Sequence, residues 1–318
     1  MKVKTIIFVL VTVMIAAVCA PSFGAETDIK TAETANYIMR LAAMPEPGTI
    51  GGEWAVIGVK RAETAQSSYF DGYLQRLAAL MQETGGDLGR KYTEYSRIAI
   101  ALTELGVTDS YNLLSYINDY DKVIVQGING PIFALEAKHS LGDHDVQVRD
   151  RYISYIIERQ NSDGSFGLSE GSADTDVTAM AIAALSLYGG DVKIDRAVNR
   201  AFLYLSSVQL NDGSFTESPG EEAASSESTA QVIIAMRRYG LPDNDRFFVK
   251  GGKSPLDALD SFRRAGGGYV HLAGDSAPEQ MSTEQALLAL TEPKSSPRAL
   301  IYDSIWFDAN QKYIESVR

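Results

Sequence analysis

One phrase occurs twice, about fifty residues apart, and it constrains the fold more than any other feature. "YISYIIERQNSDGSFG" begins at Tyr152 and "YLSSVQLNDGSFTE" begins at Tyr204. Each runs from an apolar-periodic segment through Gln into Asp-Gly-Ser-Phe, then through a polar loop into a segment of small residues. Those segments are "DVTAMAIAALSLYGG" and "ESTAQVIIAMRRYGL". A weaker third copy reads "AGGGYVHLAGDSAPEQMSTEQALLAL". The aromatic residue precedes a Thr by 12 positions at Phe166–Thr178 and by 14 at both Phe215–Thr229 and Tyr269–Thr283. A fixed internal period means that one supersecondary unit is stacked on copies of itself.

Upstream, the rhythm continues without the aromatic turn in "GGEWAVIGVKRAE", "EYSRIAIALTELGV" and "GINGPIFALEAKHSLG". Apolar residues recur every three to four positions, the period of a helix. The spacing predicts twelve helices in six pairs: 29–44 with 50–63, 67–84 with 91–106, 108–120 with 125–139, 145–160 with 174–189, 193–208 with 223–239, and 255–264 with 280–291. Gly106, Gly189 and Gly240 supply stop signals. The second helix of each pair is rich in Ala and small aliphatics and suits an inner layer. The more charged first helix suits an outer one. Stacked pairs form either an open solenoid or a closed ring, and periodicity alone does not choose.

The ends of the chain bound its setting. Lys2 and Lys4 precede the apolar run Ile6–Ala20, and small residues follow at Ala20, Ser22, Gly24 and Ala25. This pattern predicts a signal peptide over residues 1–25 and export to the exterior or the cell envelope, with no stable membrane insertion after cleavage. The single cysteine, Cys19, lies inside it. The remaining chain would hold no disulfide, thiolate metal site or cysteine nucleophile. It would carry 27 basic against 41 acidic residues, a balance that disfavours nucleic acid as a partner. The toroid or solenoid would occupy 26–294, and 295–318, with Tyr302, Trp306 and Phe307, would pack over the last repeat as a cap.

"QNSDGSFG", "QLNDGSFT" and the helices after them resemble the prenyltransferase/squalene-oxidase repeats of the terpenoid cyclase and protein prenyltransferase superfamily. The resemblance implies an all-α (α/α)6 toroid, with the N-termini of the inner helices around a central cavity. "DTDVTAMAIAAL", "SSESTAQVIIAM" and "QMSTEQALLAL" are most similar to exported bacterial toroid proteins, which are similar in turn to the α-domain of cobalamin carriers. In those carriers a small β-domain closes over the ligand. The sequence up to Arg318 contains no such domain, so a separate capping or cell-surface protein is the expected partner.

"SADTDVTAM", Ser172–Met180, resembles the acid box of class II terpene cyclases. Asp176 matches the usual proton donor and Asp174 the first Asp, while Val177 replaces the last. Carbocation chemistry needs a strong acid and a dry aromatic cavity. Zinc-dependent prenyl transfer needs ligands that His139, His144 and His271 do not supply by their spacing. Each of these histidines is expected on a surface or loop. Asp176 and Glu227 fall at equivalent repeat positions, and two carboxylates at one rim suit acid–base work on a glycan. The plainer alternative is helix capping: Asp174 as N-cap with Asp176 in the first turn, and Ser225, Ser226 and Glu227 doing the same one repeat later. The Asp163–Phe166 and Asp212–Phe215 turns are expected to be structural.

Trp54, Tyr95, Asn129, Glu284 and Gln285 stand at the starts of other inner helices and join Asp174, Asp176 and Glu227 as candidate cavity residues. With no metal, cofactor or nucleophile signature, the expectation is non-catalytic binding of a small molecule, peptide or glycan. A terpene-cyclase-like isomerase using Asp176, a carbohydrate-active enzyme using Asp176 and Glu227, and an envelope scaffold are the alternatives.

Overall fold

The computed structural model describes residues 29–108, 111–298 and 300. The expected signal peptide and the aromatic residues of the expected cap lie outside them. Among the described residues there are helices and isolated bridges but no strand.

The helices form six hairpins. They are α1 (Ile29–Leu41) with α2 (Glu53–Arg61), α3 (Ser67–Thr84) with α4 (Tyr92–Glu104), and α5 (Leu113–Ile117) and α6 (Tyr120–Val123) with α7 (Asn129–Ser140). Then follow α8 (Val146–Ile157) with α9 (Thr175–Ser186), α10 (Val192–Val208) with α11 (Ser226–Tyr239), and α12 (Pro255–Ser261) with α13 (Gln280–Thr291). The third outer element departs from the expected single helix. Its chain breaks at Asn118–Asp119, where the Asp119 side chain caps α6.

The second helices pack in the order α2, α4, α7, α9, α11, α13, and α13 returns to α2. The ring is closed. The outer layer closes too: Lys30 and Glu33 of α1 pair with Asp260 and Arg263 at the end of α12. Inner helices touch neighbours on both sides and an outer helix behind, so they carry small side chains on all faces. In α9, Ala179, Ala181, Ala183 and Ala184 are buried almost completely.

The repeated phrase explains how one hairpin locks to the next. The Thr hydroxyls accept from the aromatic backbone N–H at 2.9 Å (Phe166–Thr178), 3.2 Å (Phe215–Thr229) and 2.9 Å (Tyr269–Thr283). Each hydroxyl donates one turn back into its own helix, to Asp174 O, Ser225 O and Glu279 O. The spacing legible in the sequence is therefore a hydrogen bond. The turn glycines Gly164, Gly213 and Gly267 have left-handed φ of 97°, 87° and 94°. A Cβ there would sit 2.4, 2.7 and 2.4 Å from Arg200 O, Ser254 O and Glu33 O of the next hairpin. Only glycine permits both the conformation and the approach, and the last contact, onto α1, completes the ring.

Candidate functional site

The inner helices run in parallel, so their first turns gather at one end of the toroid, the mouth. Their side chains face the axis in layers. The first layer holds Trp54, Phe133, Met180, Gln231 and Gln285, and the register of α4 brings Arg97 to the same level. Trp54 and Phe133 lie 5.8 Å apart between ring centres, and Gln231 donates to Gln285 at 2.8 Å. One turn deeper come Ile57, Ile100, Glu136, Ala183, Ile234 and Leu288. These layers enclose a cavity of about 140 Å³.

The far end is shut by charge. Arg61 binds Glu104 at 3.0 Å and Glu292 at 2.8 Å. Arg238 binds Glu292 at 2.9 Å and Glu136 at 2.7 Å. Burial raises the Glu136 carboxyl above its usual range, against the Arg238 charge. Burial works the same way on Glu292, but Arg238 and Arg61 together hold it below. Five of the six inner helices meet in this plug, and it leaves the mouth as the open end.

At the mouth, two repeats build the same arrangement with different chemistry. Glu227 accepts from Ser282 Oγ at 2.6 Å and from Ser226 Oγ at 3.2 Å, and its Oε2 lies 2.9 Å from His271 Nδ1. One repeat earlier, Asp176 takes the place of Glu227, Ser228 that of Ser282, and Glu217 that of His271. The backbone shows the equivalence: Ser226 N–H donates to His271 O at 3.0 Å and Thr175 N–H to Glu217 O at 2.8 Å. The electrostatics diverge. His271 is raised, because the Glu227 carboxylate outweighs burial. Asp176 is pushed up to about 7, first by burial and then by the Asp174, Glu217 and Glu227 charges, with the Ser228 hydroxyl opposing. Asp176 is thus an acid raised toward neutrality beside the Glu227–His271 contact.

Several mouth groups lack hydrogen-bond partners among the described residues. Asp176 Oδ1, Asn129 Oδ1, Glu53 Oε2 and Arg97 Nε are buried without a hydrogen bond. They belong to α9, α7, α2 and α4, four consecutive members of the inner ring. Glu53 Oε2 and Arg97 Nε face each other at 4.0 Å as an ion pair, so Asp176 Oδ1 and Asn129 Oδ1 are the two atoms of the arc that face neither a hydrogen bond nor an opposite charge. Glu53 is held by Gly48 N–H at 2.8 Å and the Tyr73 hydroxyl at 3.1 Å, and burial raises it despite Arg97. Glu284 accepts from Gln280 at 2.9 Å and is pushed up to about 7, mainly by burial.

The structure brings together Trp54, Asn129, Asp176, Glu227, Glu284 and Gln285 around the mouth. Asp174 is the N-cap of α9, accepting from Val177 N–H at 2.9 Å. Tyr95 is a correction. It is fully buried away from the axis, stacked 4.2 Å from Tyr116, and its hydroxyl accepts from Leu88 N–H at 2.7 Å. It anchors the loop before α4 because it lies on the outer face of that helix. His271 lies on the loop before α13, as expected of it, and there it meets Glu227 at the mouth. A lone histidine two residues after the repeat aromatic carries no signal until Glu217 is aligned with it.

Residues 115–239 match the prenyltransferase alpha-alpha toroid domain family. The chain has the α/α-toroid fold. Its toroid is shared by solved structures of low sequence identity. An unsaturated glucuronyl hydrolase from Bacillus sp. GL1, responsible for the degradation of glycosaminoglycan, superposes with a TM-score of 0.57 at 15% identity over 82% of this chain and 94% of that one. The unsaturated glucuronyl hydrolase from Streptococcus agalactiae gives 0.58 at 11% identity over 84% and 90%. At these identities the likeness to the toroid is one of fold. No curated protein sequence matches the chain.

Proposed function

We propose that the toroid binds a hydroxylated ring ligand, a glycan, at its mouth. The observation that carries this reading is the arc of buried atoms without hydrogen bonds, with Asn129 Oδ1 and Asp176 Oδ1 on adjacent helices, beside the Trp54–Phe133 pair. Aromatic faces pack against the apolar face of a sugar ring, and hydroxyls satisfy carboxyl, amide and guanidinium groups at its edge. The glucuronyl hydrolases that share the fold support the same ligand class. The cavity below the mouth, about 140 Å³, is well under the roughly 300–1,000 Å³ typical of drug-sized ligand pockets. A polyisoprenoid or a corrinoid does not fit inside it, and Val177 leaves the cyclase acid box incomplete.

A second reading, acid–base catalysis on the bound glycan, is favoured by one feature. Asp176 is pushed up to about 7, while Glu227 Oε2 lies 2.9 Å from His271 Nδ1. A raised carboxyl beside a second carboxylate at one rim suits acid and base roles. Export to the cell envelope, as the N-terminal sequence predicts, would give the protein access to such polymers.

Calorimetric titration of neutral oligosaccharides into the wild type and Trp54→Ala tests the binding reading. Saturable binding by the wild type, weakened by about tenfold or more in the variant, supports it. Failure of every glycan to bind sinks it. Release of reducing ends by the wild type, lost in Asp176→Asn, would establish the catalytic reading.

A further inference from the structure

The three loops that lead into α9, α11 and α13 cover half of the mouth. Residues 167–174, 216–225 and 270–279 carry seven carboxylates, namely Glu170, Asp174, Glu217, Glu221, Glu222, Asp275 and Glu279, and no Lys or Arg. All but Asp174 are exposed. The cation reaching this region from the barrel side, Arg264, has its guanidinium taken by the carbonyls of Ser261, Ala273 and Asp275. His271, the one basic side chain in the three loops, is held by Glu227. Beneath them lies Asp176, whose buried Oδ1 has no hydrogen bond. The loop carboxylates and the unsatisfied acid are independent observations on the same half of the mouth.

We infer that the glycan this mouth selects carries a protonated amine, as an amino sugar does, and that uronates are rejected. The inference rests on the glycan reading above and adds its charge. A cleft lined by one sign of charge concentrates ligands of the opposite sign and repels its own. An ammonium among hydroxyls donates to Asp176 Oδ1 and is drawn by Glu217 and its neighbours, whereas a uronate carboxylate meets six exposed loop carboxylates. The toroid thereby parts from the glucuronyl hydrolases that share its fold.

The test is calorimetric titration at about pH 6, where sugar amines and exposed carboxylates both carry charge. The probes are a glucosamine oligosaccharide, its N-acetylated counterpart, a neutral gluco-oligosaccharide and an oligogalacturonate. The expected order has the amine form binding about tenfold or more tighter than its N-acetylated counterpart and the uronate failing to bind. The preference should shrink several-fold in about 0.5 M salt, where the Debye length falls to a few ångströms. It should shrink equally in a Glu217→Gln/Glu222→Gln variant, whose changes lie at exposed positions. Equal binding of amine and N-acetylated forms, or preference for the uronate, overturns the inference and leaves the glycan reading standing. Amine binding that the double variant leaves unchanged places the attraction elsewhere on an acidic chain and also overturns it. Absence of all glycan binding defeats both.

Discussion

Glu227 Oε2 lies 2.9 Å from Nδ1 of His271, and the same carboxylate is held from the other side by the Ser282 hydroxyl at 2.6 Å. The pair joins α11 to the loop before α13. The folded pKa of His271 is raised, so its stabilising contribution is full at acid pH and is lost as pH rises through that value. His271→Ala is therefore expected to lower the melting temperature more at about pH 5.5 than at about pH 8.5. Glu227→Gln should bring the His271 titration, followed by NMR, down from its raised value. A His271 titration indifferent to Glu227→Gln would contradict the pairing.

Asp176 should behave in the opposite sense from an ordinary surface carboxylate. Its folded pKa of about 7 lies above the unfolded value, so the folded state is favoured at low pH and loses stability as pH rises through neutrality. Asp176→Asn removes the ionisation. Above about pH 8 it is expected to stabilise the fold by on the order of 2 kcal/mol, a figure discounted for partial solvent access. Near pH 4 the variant and wild type should melt together. Chemical denaturation at both pH values checks this.

Thr229→Val tests the repeat lock. The hydroxyl is fully buried, accepts from Phe215 N–H and donates to Ser225 O. Leaving both groups unsatisfied costs about 1–3 kcal/mol, read from the midpoint of urea unfolding. Thr178→Val and Thr283→Val should cost similar amounts, because the same two bonds recur there.

Glu292 is the joint of the plug, bridging Arg61 and Arg238. Glu292→Gln leaves two partly buried guanidiniums short of a counter-charge. The expected loss is about 3–5 kcal/mol in urea unfolding, the range for breaking a buried pair. A variant within experimental error of wild type would mean that the plug contributes nothing to closure.

Much of this architecture is legible in the residues. The Asp-Gly-Ser-Phe phrase and the aromatic-to-Thr spacing locate the hairpins because both are local backbone devices, a glycine turn and a hydroxyl bridge. Asp174 is legible as a cap for the same reason. Closure of the ring is not, since it depends on Gly267 meeting Glu33 across the whole chain. Tyr95 misleads because a first-turn residue has two faces, and its position alone does not say which one meets the axis. The plug carries a weaker signal. Arg61, Arg238 and Glu292 each follow a mouth residue (Trp54, Gln231 and Gln285) by seven positions, two helical turns along one face, but nothing local marks them as partners.

Both the glycan reading and its charge preference require that the Asp176 carboxyl sit buried at the mouth where a ligand meets it. A titration of its side-chain carboxyl by ¹³C NMR, alone and with saturating oligosaccharide, tests this without recourse to activity. The expected midpoint is about 7 in the free protein, displaced when the sugar is added. A midpoint near that of a solvated aspartate, unmoved by any glycan, would contradict the assignment and leave Asp176 as a first-turn carboxylate of α9.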